Sequence, residues 1–286
     1  MGKVAIVTGA NQGLGFEIAK QYVLAGADVM ICARNQQLLN DSHLKLLELS
    51  NVNQKIIAKV VDVSRQEDVE NVVTDTFREL GKCHILVNNA GIYGPKGGIE
   101  SIDWDDWIRT IQINLFGSVL MCRTLIPHFK EQKYGKIIQL SGGGATNPLP
   151  NLSAYAVSNA AIVRFIETLA GEVKNFGIDV NAIAPGALNT RMLDEILEAG
   201  PDKVGLDFYK RSLLQKERGG VPFVNGVELA LFLASEQSNG ITGKLISAVW
   251  DNWGAWPEHI QELCDSDIYT LRRIVGNDRG MSWGDK

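Results

Sequence analysis

Val4-Ala5-Ile6-Val7-Thr8-Gly9-Ala10-Asn11-Gln12-Gly13-Leu14-Gly15 opens the chain and decides its fold. Val4 to Thr8 is a short apolar, β-branched run, and a helical pattern over residues 14–24 follows the glycines. Glycines alone would mark only a tight turn, but a strand entering a helix through them is the setting of a dinucleotide-binding turn. Glycine permits the turn and a close backbone approach, and N–H groups at the helix start then face a pyrophosphate.

The rest of the chain repeats this alternation. Residues 29–33, 56–61, 85–88, 137–141, 179–184 and 244–248 are nearly continuous apolar runs, as in strands covered on both faces. Helical patterns lie at 37–49, 69–80, 104–129, 154–175 and 227–234, and Gly26, Gly81 and Gly177 stand where helices should stop. Strands separated by such helices predict an α/β fold: a single doubly wound, Rossmann-type domain around a mostly parallel seven-stranded sheet.

That domain is expected to span residues 1–249 and to serve both binding and catalysis. Residues 190–220, broken by Gly200-Pro201 and Gly219-Gly220, read as a helical insertion forming a substrate lid. Residues 250–286 form a C-terminal extension, and its first seven residues hold three of the six tryptophans. Trp250, Trp253, Trp256, Ile268, Tyr269, Leu271 and Ile274 offer too much apolar surface to leave in water. The extension is expected to pack on the domain, over the substrate cleft, or on a neighbouring subunit, with Arg272 or Arg273 meeting an anionic substrate group.

At 286 residues, 45% hydrophobic and 21% charged, the composition is that of a globular protein with a sizeable core. A formal net charge of −5 argues against nucleic acid as a partner, and Lys210-Arg211 reads as a solvated helix face. No apolar run is long enough to span a bilayer, and no signal-like stretch precedes the first strand, so the expected location is cytoplasmic. Cys32, Cys83, Cys122 and Cys264 form no CxxC pair and read as buried, reduced thiols. His43, His84, His128 and His259 fit no metal spacing, and no metal is expected.

The end of the second strand reads the cofactor's ribose. An acid there accepts from the 2′-hydroxyl of NAD, whereas a 2′-phosphate calls for an arginine. Ala33 occupies the acid's place and Arg34 follows it, so NADP is the expected cofactor, with NAD the alternative.

Further landmarks follow in order: Asn88-Asn89-Ala90-Gly91, Asn114, Ser141, Tyr155, and Pro185-Gly186 with Thr190. Together with the glycine turn, this series resembles the short-chain dehydrogenase/reductase family over about residues 3–249. The resemblance implies that Gly9, Asn11, Gln12, Gly13, Leu14 and Gly15 cradle the cofactor phosphates. It implies that Asp62 and Val63 flank the adenine, and that Asn89, Ala90 and Gly91 line the cleft. Pro185, Gly186, Leu188 and Thr190 would contact the carboxamide and phosphates. Tyr155 would protonate the substrate oxygen, Ser141 would hydrogen-bond it, and Asn114 would hold the water chain that reloads the proton.

The family's catalytic segment is Tyr-x-x-x-Lys, and here residue 159, four after Tyr155, is asparagine. A lysine at that spacing shares the tyrosine's helix face and lowers its pKa from about 10. Asn159 can bond a ribose hydroxyl but carries no charge. Three readings stay open: a lysine replaced to trap a complex, a natural variant with weak activity, and a dinucleotide-binding sensor or scaffold without turnover.

The expected reaction is hydride transfer between a nicotinamide and a secondary alcohol or ketone. Substrate contacts are expected from residues 93–98, 142–152 and 190–220. Gly142-Gly143-Gly144 would leave room for a ring or polyol, and Lys96, Lys203, Lys210, Arg211, Lys216 and Arg218 would surround the cleft mouth. These features suggest a sugar or nucleotide-sugar, with a 3-oxoacyl or steroid-like ketone as the alternative. The family resemblance implies a homo-oligomer, a dimer or tetramer. Ile162, Phe165, Ile166 and Leu169 are candidates for its interface or for the core.

Overall fold

The computed structural model describes residues 2–283. Seven strands, β1 (Val4–Thr8), β2 (Asp28–Ala33), β3 (Ile56–Val60), β4 (Ile85–Asn88), β5 (Gly135–Leu140), β6 (Ile178–Ala184) and β7 (Leu245–Ser247), form one sheet in the order β3-β2-β1-β4-β5-β6-β7. Every pairing is parallel. The order reverses between β1 and β4, which opens a crevice beyond their C-terminal ends, where such folds bind ligands.

Alternation along the strands divides the core into two layers. Ala5, Val7, Val29 and Ile31 face a cluster with α1 (Gly13–Leu24), α2 (Gln36–Leu49) and α10 (Phe223–Ala234), while Ile6, Met30 and Cys32 face the other. The second layer holds α3 (Gln66–Leu80), α5 (Gly117–Gln132) and α6 (Ser153–Val173). Burial on both faces is why these strands read as unbroken apolar runs.

The helix expected over 104–129 is divided. It becomes α4 (Trp104–Ile111), a π-helical segment at Gln112–Phe116, and α5. A wide turn leaves backbone and side-chain groups to be satisfied elsewhere, and Asn114 sits in its middle. The insertion after β6 contains α7 (Arg191–Ala199), α8 (Pro201–Val204) and α9 (Leu206–Arg218), separated by Gly200 and Gly205.

Ile162, Ile166 and Leu169 are buried in the protein's own core, with Phe165 packed against it, so they make no outward patch. The described C-terminal residues run beside β7, and none of them lines the cleft described below. Trp256 and Leu263 join the core layer that holds α10, and Trp253 packs on Phe232 with ring centroids 5.2 Å apart. Lys244, buried, donates to the Ser266 and Ile268 carbonyls at 3.1 and 3.0 Å, and Leu245 N–H donates to Tyr269 O at 2.8 Å. Arg272 does not reach toward a substrate; it pairs with Asp267 and Asp278. Trp250 remains 85% exposed.

Three of the cysteines are buried as expected, whereas Cys264 is exposed because the short helix carrying it, α11 (Ile260–Cys264), ends at the surface. Among the described residues no helix is long and apolar enough to cross a membrane.

Candidate active site

A cleft of about 940 Å³ lies across the C-terminal ends of the strands. One end is built from the glycine turn: Gly9, Asn11, Gln12, Gly13, Leu14 and Gly15 all line it. The turn is fixed to β4 by polar contacts at its base. Thr8 Oγ1 accepts from the N–H groups of Asn89 and Ala90, both at 3.0 Å, and Asn89 Nδ2 donates to the carbonyls of Thr8 and Gly9 at 2.9 and 3.1 Å. A Cβ on residue 15 would lie 2.3 Å from Asn89 Nδ2, so glycine is required for this approach.

The residues fit a dinucleotide. Gln12 gives α1 no side-chain cap, so the first-turn N–H groups remain available to an anion in the cleft. A Cβ on Gly13 would project into the cleft and meet only Thr190, at 3.8 Å. Arg34 lines the cleft at the end of β2, exposed and with no ion pair within 4.0 Å among the described residues, while Ala33 beside it is buried. Asn89, Ala90, Gly91, Val63, Pro185, Gly186, Leu188 and Thr190 line the cleft as well.

Asp62 is the one expected cofactor contact that does not line it. Its carboxylate accepts from Ser64 N–H at 3.0 Å and Ser64 Oγ at 2.6 Å. Burial alone would raise its pKa, but the Ser64 hydrogen bonds and the charges of Arg34 and Arg109 hold it below the ordinary carboxylate value.

Ser141, Tyr155, Asn159 and Asn114 all line the cleft. Ser141 is carried by the end of β5, its N–H bonded to Ile183 O at 2.9 Å. Tyr155 and Asn159 lie one turn apart on α6. Asn159 is 7% exposed, and its Nδ2 donates to Tyr155 O at 3.0 Å and to Gly143 O at 3.4 Å. Its Oδ1 accepts a long hydrogen bond, 3.5 Å, from Ser141 Oγ. The Tyr155 pKa is raised above its ordinary value of 10.0 by burial of the hydroxyl, and a hydrogen bond from Asn159 opposes this only in part.

Asn114 is more engaged than a water holder needs to be. Its side chain clasps Ile92, accepting from N–H and donating to C=O, both at 2.9 Å, and donates to Ser158 Oγ at 3.1 Å. The amide thus ties the π-helical segment to the loop after β4 and to α6.

Two expectations about the substrate end need correction. The space beside Gly142 is filled by the protein's own tyrosine, since a Cβ there would lie 2.2 Å from the Tyr155 hydroxyl, and that beside Gly144 is filled by Ala156; only at Gly143, where a Cβ would meet Leu149 at 3.8 Å, does the run leave room. None of the six expected cations lines the cleft. Lys96 pairs with Glu195 at 3.5 Å and Lys216 pairs with Asp194 at 2.5 Å, while Arg34 and Arg191 are the cations on the described cleft wall.

The walls include residues the sequence did not mark individually: Leu149, Leu193, Ile196 and Phe208, with Asn189 and Gln215 above them. Leu193 and Ile196 stand three apart on α7, which in a sequence reads equally as a core-facing stripe. Gln215 Nε2 holds α9 to the loop after β6 through Leu188 O at 3.1 Å and Asn189 Oδ1 at 3.3 Å, a pairing without a sequence signature. No group of metal-binding side chains occurs among the described residues.

Residues 3–200 match the family model described as short chain dehydrogenase. The chain belongs to that family. It is 32% identical over 247 residues to dehydrogenase/reductase SDR family member 4 of Caenorhabditis elegans, covering 86% of this chain and 93% of the relative. It is also 32% identical over 238 residues to L-fucose dehydrogenase of Oryctolagus cuniculus, covering 83% and 80%. Among solved structures, levodione reductase superposes with a TM-score of 0.78 at 25% identity, covering 90% of this chain and 98% of that one. NAD+-bound xylitol dehydrogenase gives 0.77 at 26%, covering 86% and 97%. The short-chain dehydrogenases are oxidoreductases, and structural neighbours of this chain bind nicotinamide dinucleotides.

Proposed function

We propose that this protein binds NADP(H), or NAD(H) more weakly, and interconverts a ketone and a secondary alcohol. The observation that carries the reading is the convergence of Ser141 and Tyr155 on the cleft that begins at the glycine turn. Once bound, the nicotinamide supplies or accepts the hydride, and the protein handles the proton. The α1 N-terminus and the backbone of residues 9–15 hold the pyrophosphate, and Arg34 pairs with a ribose 2′-phosphate. Ser141 Oγ donates to the substrate oxygen and stabilises the negative charge that develops there. Tyr155 gives its phenolic proton to that oxygen in reduction and removes it in oxidation.

Asn159 makes these two directions unequal. With no cation beside it, Tyr155 keeps its proton at neutral pH, which suits donation and hinders abstraction. Catalysis is therefore weaker than a lysine at 159 would give, most of all for alcohol oxidation. The same observation favours a second reading, a dinucleotide sensor without turnover.

Titration with NADPH and NADH, followed by turnover assays of the native protein, Asn159→Lys and Tyr155→Phe, separates these. Asn159→Lys should raise turnover by orders of magnitude, and Tyr155→Phe should abolish whatever activity the native protein has. Cofactor binding with no hydride transfer even in Asn159→Lys would leave the sensor reading standing. Tighter binding of NADH than NADPH would overturn the cofactor preference.

A further inference from the structure

The substrate end of the cleft is walled by Tyr93, Leu149, Leu193, Ile196 and Phe208. Tyr93 packs edge-on against Tyr155, with ring centroids 4.5 Å apart, so this apolar wall begins beside the proposed proton donor. Two of the nearby polar side chains, Ser212 and Gln215, are engaged within the protein. Ser212 Oγ donates to Phe208 O at 2.9 Å, and Gln215 bonds Leu188 and Asn189. A polyol here would leave several hydroxyls without partners, which a site of this kind rejects.

Charge at this end is organised around one carboxylate. Glu195 on α7 lies 3.5 Å from Lys96 Nζ and 3.6 Å from Arg191 Nε. Lys96, with a side chain only 15% exposed, spends a further donor on Gly94 O at 3.2 Å. Glu195 thus holds Arg191, which lines the cleft, and Lys96, which stands 5.8 Å from the ring centroid of Tyr93 on the cleft wall; its field also reaches Tyr93. An incoming anion would be stripped of water against apolar side chains and find both cations occupied.

We infer that the cleft accepts a neutral ketone or alcohol with an apolar ring or short chain beside the reacting carbon, and that Glu195 excludes anionic substrates by occupying Lys96 and Arg191. This rests on the oxidoreductase reading above and supplies its substrate class.

The test uses the full chain saturated with NADP and two probes of similar shape, 4-methylcyclohexanone and 4-oxocyclohexanecarboxylate. Binding is read by ligand-induced thermal shift of the ternary complex, and KM is added from NADPH oxidation wherever turnover is measurable. The native protein should bind the neutral ketone at least about tenfold more tightly than the carboxylate. Glu195→Gln should improve carboxylate binding by about tenfold or more while leaving the neutral ketone within about twofold. Glu195→Asp should keep the native ratio, and Lys96→Met combined with Glu195→Gln should lose most of the gain. A native protein that binds the carboxylate as well as the neutral ketone, a Glu195→Gln ratio unchanged in a variant that still binds NADP, or failure of both ketones to bind would each overturn the inference. Failure to bind either dinucleotide would overturn the oxidoreductase reading with it, whereas normal NADP binding with carboxylate preference would sink only the substrate class.

Discussion

The hydroxyl of Tyr155 occupies the space in which a side chain at residue 142 would begin, because a Cβ on Gly142 would lie 2.2 Å from it. No real Cβ tolerates that distance, so either the tyrosine or the loop after β5 must move when a methyl is added. A displacement of about 1 Å between reacting groups can cost about a hundredfold in rate. Gly142→Ala should lower kcat by about that factor, with NADPH affinity retained because the glycine turn lies at the other end of the cleft. Steady-state kinetics beside a fluorescence titration of NADPH would check both halves, and unchanged kcat would refute the geometry.

The pH dependence follows from the Tyr155–Asn159 pair. Burial raises the tyrosine pKa, so its phenolate forms only above the ordinary value of 10.0. Oxidation needs the phenolate and should climb with pH through the alkaline range without reaching a plateau below that value. Reduction needs the phenol and should stay level over the same range. A lysine at 159 favours the phenolate, so Asn159→Lys should move the oxidation profile to lower pH. Oxidation at a fixed pH on the rising limb should then be about tenfold faster for every pH unit by which the profile moves. Profiles of the native protein and the variant in both directions test this; coincident oxidation profiles would remove Asn159 from the account.

Arg34 is the exposed cation at the end of β2, with Ala33 where an acid would otherwise stand. A charge-assisted hydrogen bond contributes roughly 1.5–3 kcal/mol, and each 1.4 kcal/mol or so is a factor of ten. Arg34→Ala should weaken NADPH by about ten- to a hundredfold and leave NADH nearly unchanged. Equal losses for both cofactors in the titration would point to a structural role instead.

What the sequence made legible follows the physics of each feature. The five inner strands could be read because each is buried on both faces, the half-buried edge strands β3 and β7 because they keep a short apolar run, and the cofactor turn because strand, glycines and helix occur in fixed order. Ser141, Tyr155 and Asn159 could be placed because they sit at the end of a strand and one turn apart on a single helix. The break in the helix around Asn114 was not legible, since the group that its side chain clasps there is Ile92, 22 residues away in the chain. Nor was the apolar character of the substrate end: Leu193, Ile196 and Phe208 face a cleft formed only when the insertion folds back. The ion pair of Lys96 with Glu195 joins segments about a hundred residues apart and neutralises one of the cations that read as a basic mouth.

The C-terminal extension gives the last prediction. Trp256 is 5% exposed, lies in the core layer with α10, and its ring meets Tyr269 at 4.5 Å between centroids. The backbone beyond it is held by buried Lys244 and by Leu245 N–H, both on or beside β7. The segment therefore closes the open edge of the sheet, a place where unpaired strand groups invite association. Truncating a buried tryptophan to alanine costs about 3–5 kcal/mol. Trp256→Ala should accordingly lower the melting temperature by at least several degrees, and truncation after Ala248 should lower it further and promote aggregation. Because no described residue of the extension lines the cleft, Trp256→Ala should bind NADPH and substrate with native affinity at temperatures where it stays folded. Thermal denaturation combined with cofactor and substrate titration at low temperature decides the point. A variant of native stability, or one with weakened substrate binding while still folded, would contradict a purely edge-sealing role.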